Sequence, residues 1–194
     1  MTRLYCATGN QGKLREFRMA ANEAVEIEPL AAYKQLPECV EDGATFEENA
    51  IKKARYYGAH AGGMLFADDS GLEVDALGGA PGVYSARYSG PGATDASNNR
   101  LLLERMRGVT NRAARFVCKI ALVEGERLIG VYGGVVEGVL LEEERGSGGF
   151  GYDPLFWVPV FGCTFGEATA GQKFAHSHRG QALRTMVAAL SVRR

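Results

Sequence analysis

The chain has 194 residues, 46% hydrophobic and 23% charged, which suits one compact domain over residues 1–194, with room for two lobes and a core that needs no staples. Its 22 lysines and arginines are balanced by 23 aspartates and glutamates, so the positive field that holds a polynucleotide is missing and no nucleic acid polymer is expected as a partner. Four dispersed cysteines without a CxxC spacing argue against zinc and a disulfide framework, and neither a signal-peptide core near Met1 nor a membrane-spanning apolar run is present, so the expectation is a cytoplasmic chain with no membrane partner.

In chain order, Leu4 to Ala7 reads as a short buried strand, followed by a polar glycine turn and a helix from about Lys13 to Asn22 with Leu14, Phe17 and Ala21 on one face. Val25 and Ile27, with Leu30 as a further candidate, alternate with acids as a second strand, and a loop through Pro37 to Gly43 leads to a helix that starts at Ala44 or Thr45. That helix runs to about Ala61, where Gly62 and Gly63 stop it; Met64 to Ala67 then forms a strand that delivers Asp68 and Asp69 at its carboxyl end, where open α/β sheets bind ligands. A glycine- and proline-rich loop spans Gly78 to Gly92, and Thr94 or Asp95 caps a helix carrying Leu101, Leu102 and Met106. Phe116, Cys118, Ile120 and Leu122 alternate, Glu124-Gly125-Glu126 supplies a turn, and Leu128 to Val139 returns as the second strand of an antiparallel hairpin. A closing helix is expected from about Gly180 to Leu190, preceded by the polar run HSHRG, and no internal repeat is found.

Within this frame, several clusters carry chemistry. Asp68 and Asp69 are a like-charged pair that is costly to hold without a cation, and their oxygens suit magnesium; Asp-Ser-Gly also opens ordinary turns, and the pair by itself does not decide between the two. The turn TGNQGK, Thr8 to Lys13, lies between strand and helix, so backbone N–H groups and a helix N-terminus face an anion; the alternative is a tight connection with Lys13 solvated. On the second helix Lys53 shares a face with Phe46, Ala50, Ala54 and Tyr57, bordered by Asn49, and either its stem covers the core while the ammonium reaches water or it points toward the acidic strand. The run RGSGGFGYDP gathers glycines around Phe150, Tyr152 and Asp153, either a loop that sandwiches a flat base or a wide turn whose aromatics fill the core. Lys173, His178 and Arg179 are either a donor-rich edge or a solvated helix start. Taken together, a carboxylate pair, two anion-facing lysines, a base-sized aromatic loop and a donor cluster describe a nucleoside triphosphate.

The segments ATGNQGKLREF, EDGATFEENAIKKA, FADDSGLEVDALGGAPGVYSARYSG, RGSGGFGYDPLF and HSHRGQAL, in this order over nearly the whole chain, closely resemble the inosine triphosphate pyrophosphatase family, the dITP/XTP pyrophosphatases. The resemblance implies an α/β fold, an elongated mixed β-sheet with flanking helices and two lobes around a central cleft, together with a homodimer and Mg2+ dependence. It implies hydrolysis of non-standard purine nucleoside triphosphates (ITP, dITP, XTP) to the monophosphate and pyrophosphate, which cleanses the nucleotide pool.

Carried over position by position, Thr8, Gly9, Asn10, Gln11, Gly12 and Lys13 cradle phosphates, and Lys53 faces them. Asp69 binds metal and acts as general base, with its neighbour Asp68 the alternative catalytic group that orients and deprotonates water, and Ser70 touches substrate. Phe150, Gly151, Tyr152 and Asp153 bind the nucleoside, and Lys173, His178 and Arg179 recognise the base. The second metal ligand is expected at Glu41, with Glu38 the alternative, because Val40-Glu41 stands where family members often carry two acids. Gln172-Lys173-Phe174 replaces a usual Glu-Lys-Asn and His176 an aliphatic residue, which bears on base preference, whereas Glu144 in a position often held by proline is read as neutral. A non-catalytic nucleotide sensor and an enzyme for other modified nucleotides are the competing readings.

Overall fold

The computed structural model describes residues 2–21 and 25–192. They form β1 (Thr2–Cys6), α1 (Gln11–Ala20), β2 (Val25–Pro29), α2 (Phe46–Gly58), β3 (Met64–Val74), α3 (Asp95–Arg105), β4 (Ala113–Glu124), β5 (Arg127–Leu140), β6 (Phe156–Val158), β7 (Cys163–Thr164), α4 (Ala170–His176) and α5 (His178–Val192). The fold is the expected α/β class: one mixed seven-stranded sheet in the order β2-β1-β3-β4-β5-β6-β7 with flanking helices. β1 pairs in parallel with β2 and β3, while β5–β6 and β6–β7 are antiparallel. The chain divides into two compact units, one of Met1–Asp69, Cys118–Gly134 and Ser177–Arg194, the other of Ser70–Val117 and Val135–His176.

The first unit has two apolar clusters, and strand alternation assigns them. Along β3 and β4, Phe66, Cys118, Ile120 and Leu122 pack with Leu14 and Phe17 of α1 and Ala182, Leu183 and Met186 of α5. The intervening Leu65, Ala67, Ala121 and Val123 pack with Ala50, Ala54 and Tyr57 of α2. Because successive side chains on a strand point to opposite faces, α1 and α5 cover one face of these strands and α2 the other. The second unit gathers Leu72, Val74, Leu102, Met106, Phe116, Phe156 and Phe165 around one core, with the Phe116 and Phe156 rings 4.6 Å apart.

Most expected elements appear, with informative differences. α1 begins at Gln11, ahead of the expected Lys13, because the Asn10 side chain caps it by accepting from the Lys13 N–H at 3.0 Å; Lys13 is thereby fixed in the first turn. The expected end at Asn22 lies outside the described residues. Thr45 caps α2 through a capping box with Glu48, but the helix stops at Gly58, short of Ala61.

The largest correction concerns β3, which does not stop at Ala67 but continues through Asp68 and Asp69 to Val74. The acids are therefore mid-strand, not at a carboxyl end, and the Asp-Ser-Gly turn does not form. Burial on both faces and a pairing partner for the backbone outweigh the poor strand propensity of Asp, Ser and Gly. Leu102 of α3 and Met106, which caps its end, enter the core with Leu103, rather than Leu101, packed beside them. The HSHRG run does not wholly precede the last helix: His176 ends α4, Ser177 follows it, and His178, Arg179 and Gly180 form the first turn of α5.

Two glycines let elements approach closely in the first unit. A Cβ on Gly134 of β5 would stand 2.1 Å from the His178 carbonyl oxygen, so the start of α5 rests directly on the strand backbone. A Cβ on Gly58 would stand 2.2 Å from the Gly125 carbonyl oxygen and 2.6 Å from Val123 Cγ2, where the end of α2 meets the β4–β5 turn. Gly58→Ala is expected to lower stability by about 1–3 kcal/mol through overpacking, read as a lower urea midpoint with an unchanged slope.

Candidate functional site

The alternation that sorts the core also separates the two acids. Asp68 follows Phe66 onto the face covered by α1 and α5, whereas Asp69 follows Leu65 and Ala67 onto the face covered by α2. Their surroundings differ accordingly.

Asp68 is buried, with Lys13 Nζ 2.9 Å from its Oδ2 and Arg179 Nε at 3.9 Å from the same oxygen. Arg179 also donates from Nη1 to Glu16 Oε2 at 2.9 Å, both side chains being buried. Lys13 and Glu16 are one turn apart on α1, so α1, β3 and α5 are joined by a buried line of alternating charge. Burial pushes the Asp68 carboxyl up, but Lys13, Arg179 and Lys53 more than offset it and hold the group down at about 2.

Asp69 is held from α2. Lys53 Nζ lies 3.3 Å from Asp69 Oδ1 and 2.8 Å from Glu41 Oε2, and Asn49 Nδ2 donates to Asp69 Oδ2 at 3.1 Å. Lys53 is buried, so its ammonium turns to the acidic strand instead of reaching water. Burial works against that ammonium, yet Asp69, Asp68 and Glu41 outweigh it and raise its pKa, which keeps it charged. For Asp69 burial dominates, and the Glu41 charge adds to it, against Lys53, Lys13 and the Asn49 hydrogen bond; its pKa is raised. One adjacent acid is thus pushed down and the other up, the signature of paired groups with separate roles.

Glu41 belongs to a strap, Pro37 to Thr45, that runs antiparallel along α2. Tyr56 Oη donates to the Pro37 carbonyl at 3.1 Å and Tyr57 Oη accepts from Cys39 N–H at 3.2 Å. Lys53 holds Glu41, Lys52 holds Asp42, Asn49 Oδ1 accepts from Gly43 N–H at 2.8 Å, and Glu48 Oε2 accepts from Ala44 N–H at 2.7 Å. Of the two candidate glutamates, Glu41 is thereby brought to Lys53 and Asp69, while Glu38 is exposed.

The glycine turn leads into α1 as expected. Thr8 Oγ1 accepts from Asn10 N–H at 3.1 Å, Gly9, Asn10 and Gln11 are exposed, and Gly12 and Lys13 occupy the helix's first turn. A ten-residue helix therefore presents its N-terminus there, favourable to an anion.

In the second unit, Ser70 follows Asp69 on β3, and the loop from Arg145 is fixed by polar contacts. Asp153 Oδ2 accepts from Phe150 N–H at 2.8 Å and from Lys173 Nζ, whose ammonium lies 5.2 Å from the centre of the Phe150 ring. Gly149, at φ +75°, would with a Cβ strike Asp153 Oδ2 at 2.0 Å, so this ring of contacts requires a glycine. Gly151 N–H donates to Asp95 Oδ2 at 2.7 Å, and Asn99 Nδ2 donates to the Gly151 carbonyl at 3.2 Å and to Glu144 Oε1 at 2.8 Å. Tyr152 is buried in the core with its Oη donating to the Ser85 carbonyl at 2.8 Å, the core-filling alternative for that ring. Lys173 and Arg179 have different acidic partners, Asp153 and Glu16, and His178 is buried at the start of α5.

Sequence reasoning passed over Glu16 and Asn99, saw Asp95 only as a candidate helix cap, and gave Asn49 no role. Glu16 and Asn49 were open to detection as polar groups on the buried faces of α1 and α2, beside Phe17 and one turn before Lys53. Asp95 and Asn99 act on residues far along the chain, and no local pattern marks them.

The family model described as the Ham1 family matches residues 4–189. A dITP/XTP pyrophosphatase of Exiguobacterium sp. is 50% identical over 189 residues, covering 96% of this chain and 95% of that protein. Among solved structures, the Staphylococcus aureus Ham1 protein matches with a TM-score of 0.88 and 36% identity over 100% of both chains. A HAM1 protein from Coxiella burnetii matches with a TM-score of 0.87 and 40% identity over 98% of this chain and 99% of that one. With a match that spans nearly its whole length and the same fold in both solved relatives, this chain belongs to the Ham1 family.

Proposed function

We propose that this chain is a nucleoside triphosphate pyrophosphatase that hydrolyses non-standard purine nucleoside triphosphates, dITP or ITP and XTP, to the monophosphate and pyrophosphate, and that residues 1–194 act as one pyrophosphatase domain. The observation that carries the reading is the contrast between the two acids of β3: Asp68 locked as a counter-ion to Lys13, Asp69 raised in pKa and flanked by Lys53, Asn49 and Glu41. The name of the relative from Exiguobacterium sp., a dITP/XTP pyrophosphatase, supports the same activity.

Magnesium fits this place by the chemistry of its donors. Glu41 and Asp69 offer carboxylate oxygens to one shared ammonium, and Mg2+ is commonly held by one or two carboxylates together with substrate phosphates. Among the described residues no cluster of three or more His, Cys, Asp or Glu side chains forms a complete protein cage. When bound by Asp69 and Glu41, the ion supplies Lewis-acid polarisation of the phosphate oxygens.

The chain's own groups do the rest. Backbone N–H groups from Thr8 to Gly12, the α1 terminus and Lys13 receive the polyphosphate, whose negative charge competes with Asp68 for the Lys13 ammonium. Asp69, its pKa raised, takes the proton of the water that attacks the α-phosphorus, and Lys53 offsets the charge that develops. In the second unit Phe150 offers a ring face and Lys173, fixed by Asp153, a donor suited to the six-position carbonyl of hypoxanthine or xanthine. Adenine presents an amino group there, and a buried donor left without its acceptor disfavours it. Ser70, Gly151 and His178 complete the carried-over substrate contacts, Tyr152 supports the loop from within the core, and Arg179 serves Asp68 as well as the base. The homodimer and the cytoplasmic location implied by the resemblance belong to the same reading; the four cysteines are free thiols, and among the described residues no helix is long and apolar enough to cross a membrane.

Three outcomes are expected. Pyrophosphate release from dITP, XTP and dATP, followed with and without Mg2+, favours the first two and requires the ion. Asp69→Asn loses about 10²-fold or more in turnover, the range removed with a general base, while its circular dichroism spectrum is unchanged. Asp68, held below the ordinary aspartate value, contributes stability that is complete above about pH 4 and is lost as the pH falls toward 2, worth about 2 kcal/mol; the stability gap between the parent and Asp68→Asn, measured by urea unfolding, therefore shrinks by that amount between pH 6 and pH 2.

A further inference from the structure

Asn49 joins two parts of the site, the acidic strand and the strap. It is fully buried on α2, and its carboxamide is used at both ends: Nδ2 donates to Asp69 Oδ2 at 3.1 Å, and Oδ1 accepts from the strap's Gly43 N–H at 2.8 Å. Lys53, one turn later on the same face, repeats the pattern with its ammonium, between Asp69 Oδ1 and Glu41. Asp69 is thus gripped through both of its oxygens, and the strap that carries Glu41 is anchored on each side of that residue. Gly43 is shaped for this contact, since a Cβ there would stand 2.7 Å from Asn49 Oδ1 and 2.8 Å from Glu48 Cβ.

We propose that Asn49 is a positioning residue for the hydrolysis, its carboxamide locking Asp69 at one end and the acidic strap at the other, so that the Asp69 and Glu41 carboxylates meet the metal–phosphate group at a fixed spacing. This rests on the pyrophosphatase reading above. Lys53 alone cannot fix the spacing, because an ammonium on a flexible stem restrains distance without restraining the plane of a carboxylate, whereas a planar amide on a short side chain restrains both. The side chain touches neither water nor phosphate in this role; it acts through its two neighbours.

The test compares the parent chain with Asn49→Ala, which removes both contacts, and Gly43→Ala, whose Cβ crowds Asn49 Oδ1 and Glu48 Cβ and so disturbs the strap contact while leaving the Asn49 side chain present, which keeps the proposal testable if Asn49→Ala does not fold. Three quantities are read: kcat and KM for dITP with Mg2+, melting temperature, and binding of Mn2+ in the presence of dIMP, followed by loss of the free-ion EPR signal without turnover. Expected for Asn49→Ala is a fall in kcat and a weakening of Mn2+ binding, each about 10- to 100-fold as for other residues that orient metal ligands, with KM changed less than about threefold; Gly43→Ala follows in the same direction with a smaller loss. A folded variant that keeps kcat and Mn2+ binding within about threefold of the parent overturns the proposal, and so does a fall in melting temperature with unchanged Mn2+ binding. Failure of the parent itself to release pyrophosphate from dITP would instead remove the reading beneath it, and the positioning role with it.

Discussion

The site depends on the two-residue period of β3. A strand cannot point neighbouring side chains to the same face, so Asp68 and Asp69, adjacent in sequence, are assigned to opposite sides of the sheet and meet different helices. On one side α1 and α5 supply cations and Asp68 becomes an anchor that stays ionised well below the ordinary aspartate range. On the other, α2 supplies one ammonium and one amide, and Asp69 is left with a raised pKa. No cation is needed to keep the two acids apart, because the backbone already does so.

The second organising element is α2, whose buried face mixes core and chemistry at helical spacing. Phe46, Ala50, Ala54 and Tyr57 dock the helix, while Asn49 and Lys53 on the same face reach the acids. The edge of that face also binds the strap residue by residue, from Tyr56 and Tyr57 near its start to Glu48 near its end. Docking the helix and building the site are therefore one event, since the packing that buries Ala50 and Ala54 also sets the depth of Asn49 and Lys53.

Much of this was legible in the sequence, for identifiable reasons. Alternation at Phe116, Cys118, Ile120 and Leu122 and the turn at Gly125 gave the β4–β5 hairpin, and the Thr45 and Thr94 caps gave two helix starts. The apolar face of α2 placed Lys53 correctly on the buried side but left open where its ammonium goes, which only the fold answers. The end of β3 was misjudged because Asp-Asp-Ser-Gly has the composition of a turn, and burial between layers of helices is invisible in a local window. The start of α1 was placed late, although Asn10 carried the capping signal. For the site, individual motifs pointed to a triphosphate ligand, and the resemblance supplied the roles. Pairings across long stretches of chain, Arg179 with Glu16 and Asp95 with Gly151, had no sequence signal because each end is an ordinary charged or polar residue until the tertiary structure joins them.

The line of charge from Glu16 through Arg179 and Asp68 to Lys13 ties the beginning of the chain to its end. Ala182, Leu183 and Met186 set where α5 lies on the sheet, and Arg179 rides on that helix. A change in how these apolar residues fit thus bears, through a guanidinium and a carboxylate, on the lysine in the first turn of α1. Residues on the apolar face of the last helix acquire leverage over the charge balance of the first in this way, and their packing is constrained by electrostatics far from them in sequence.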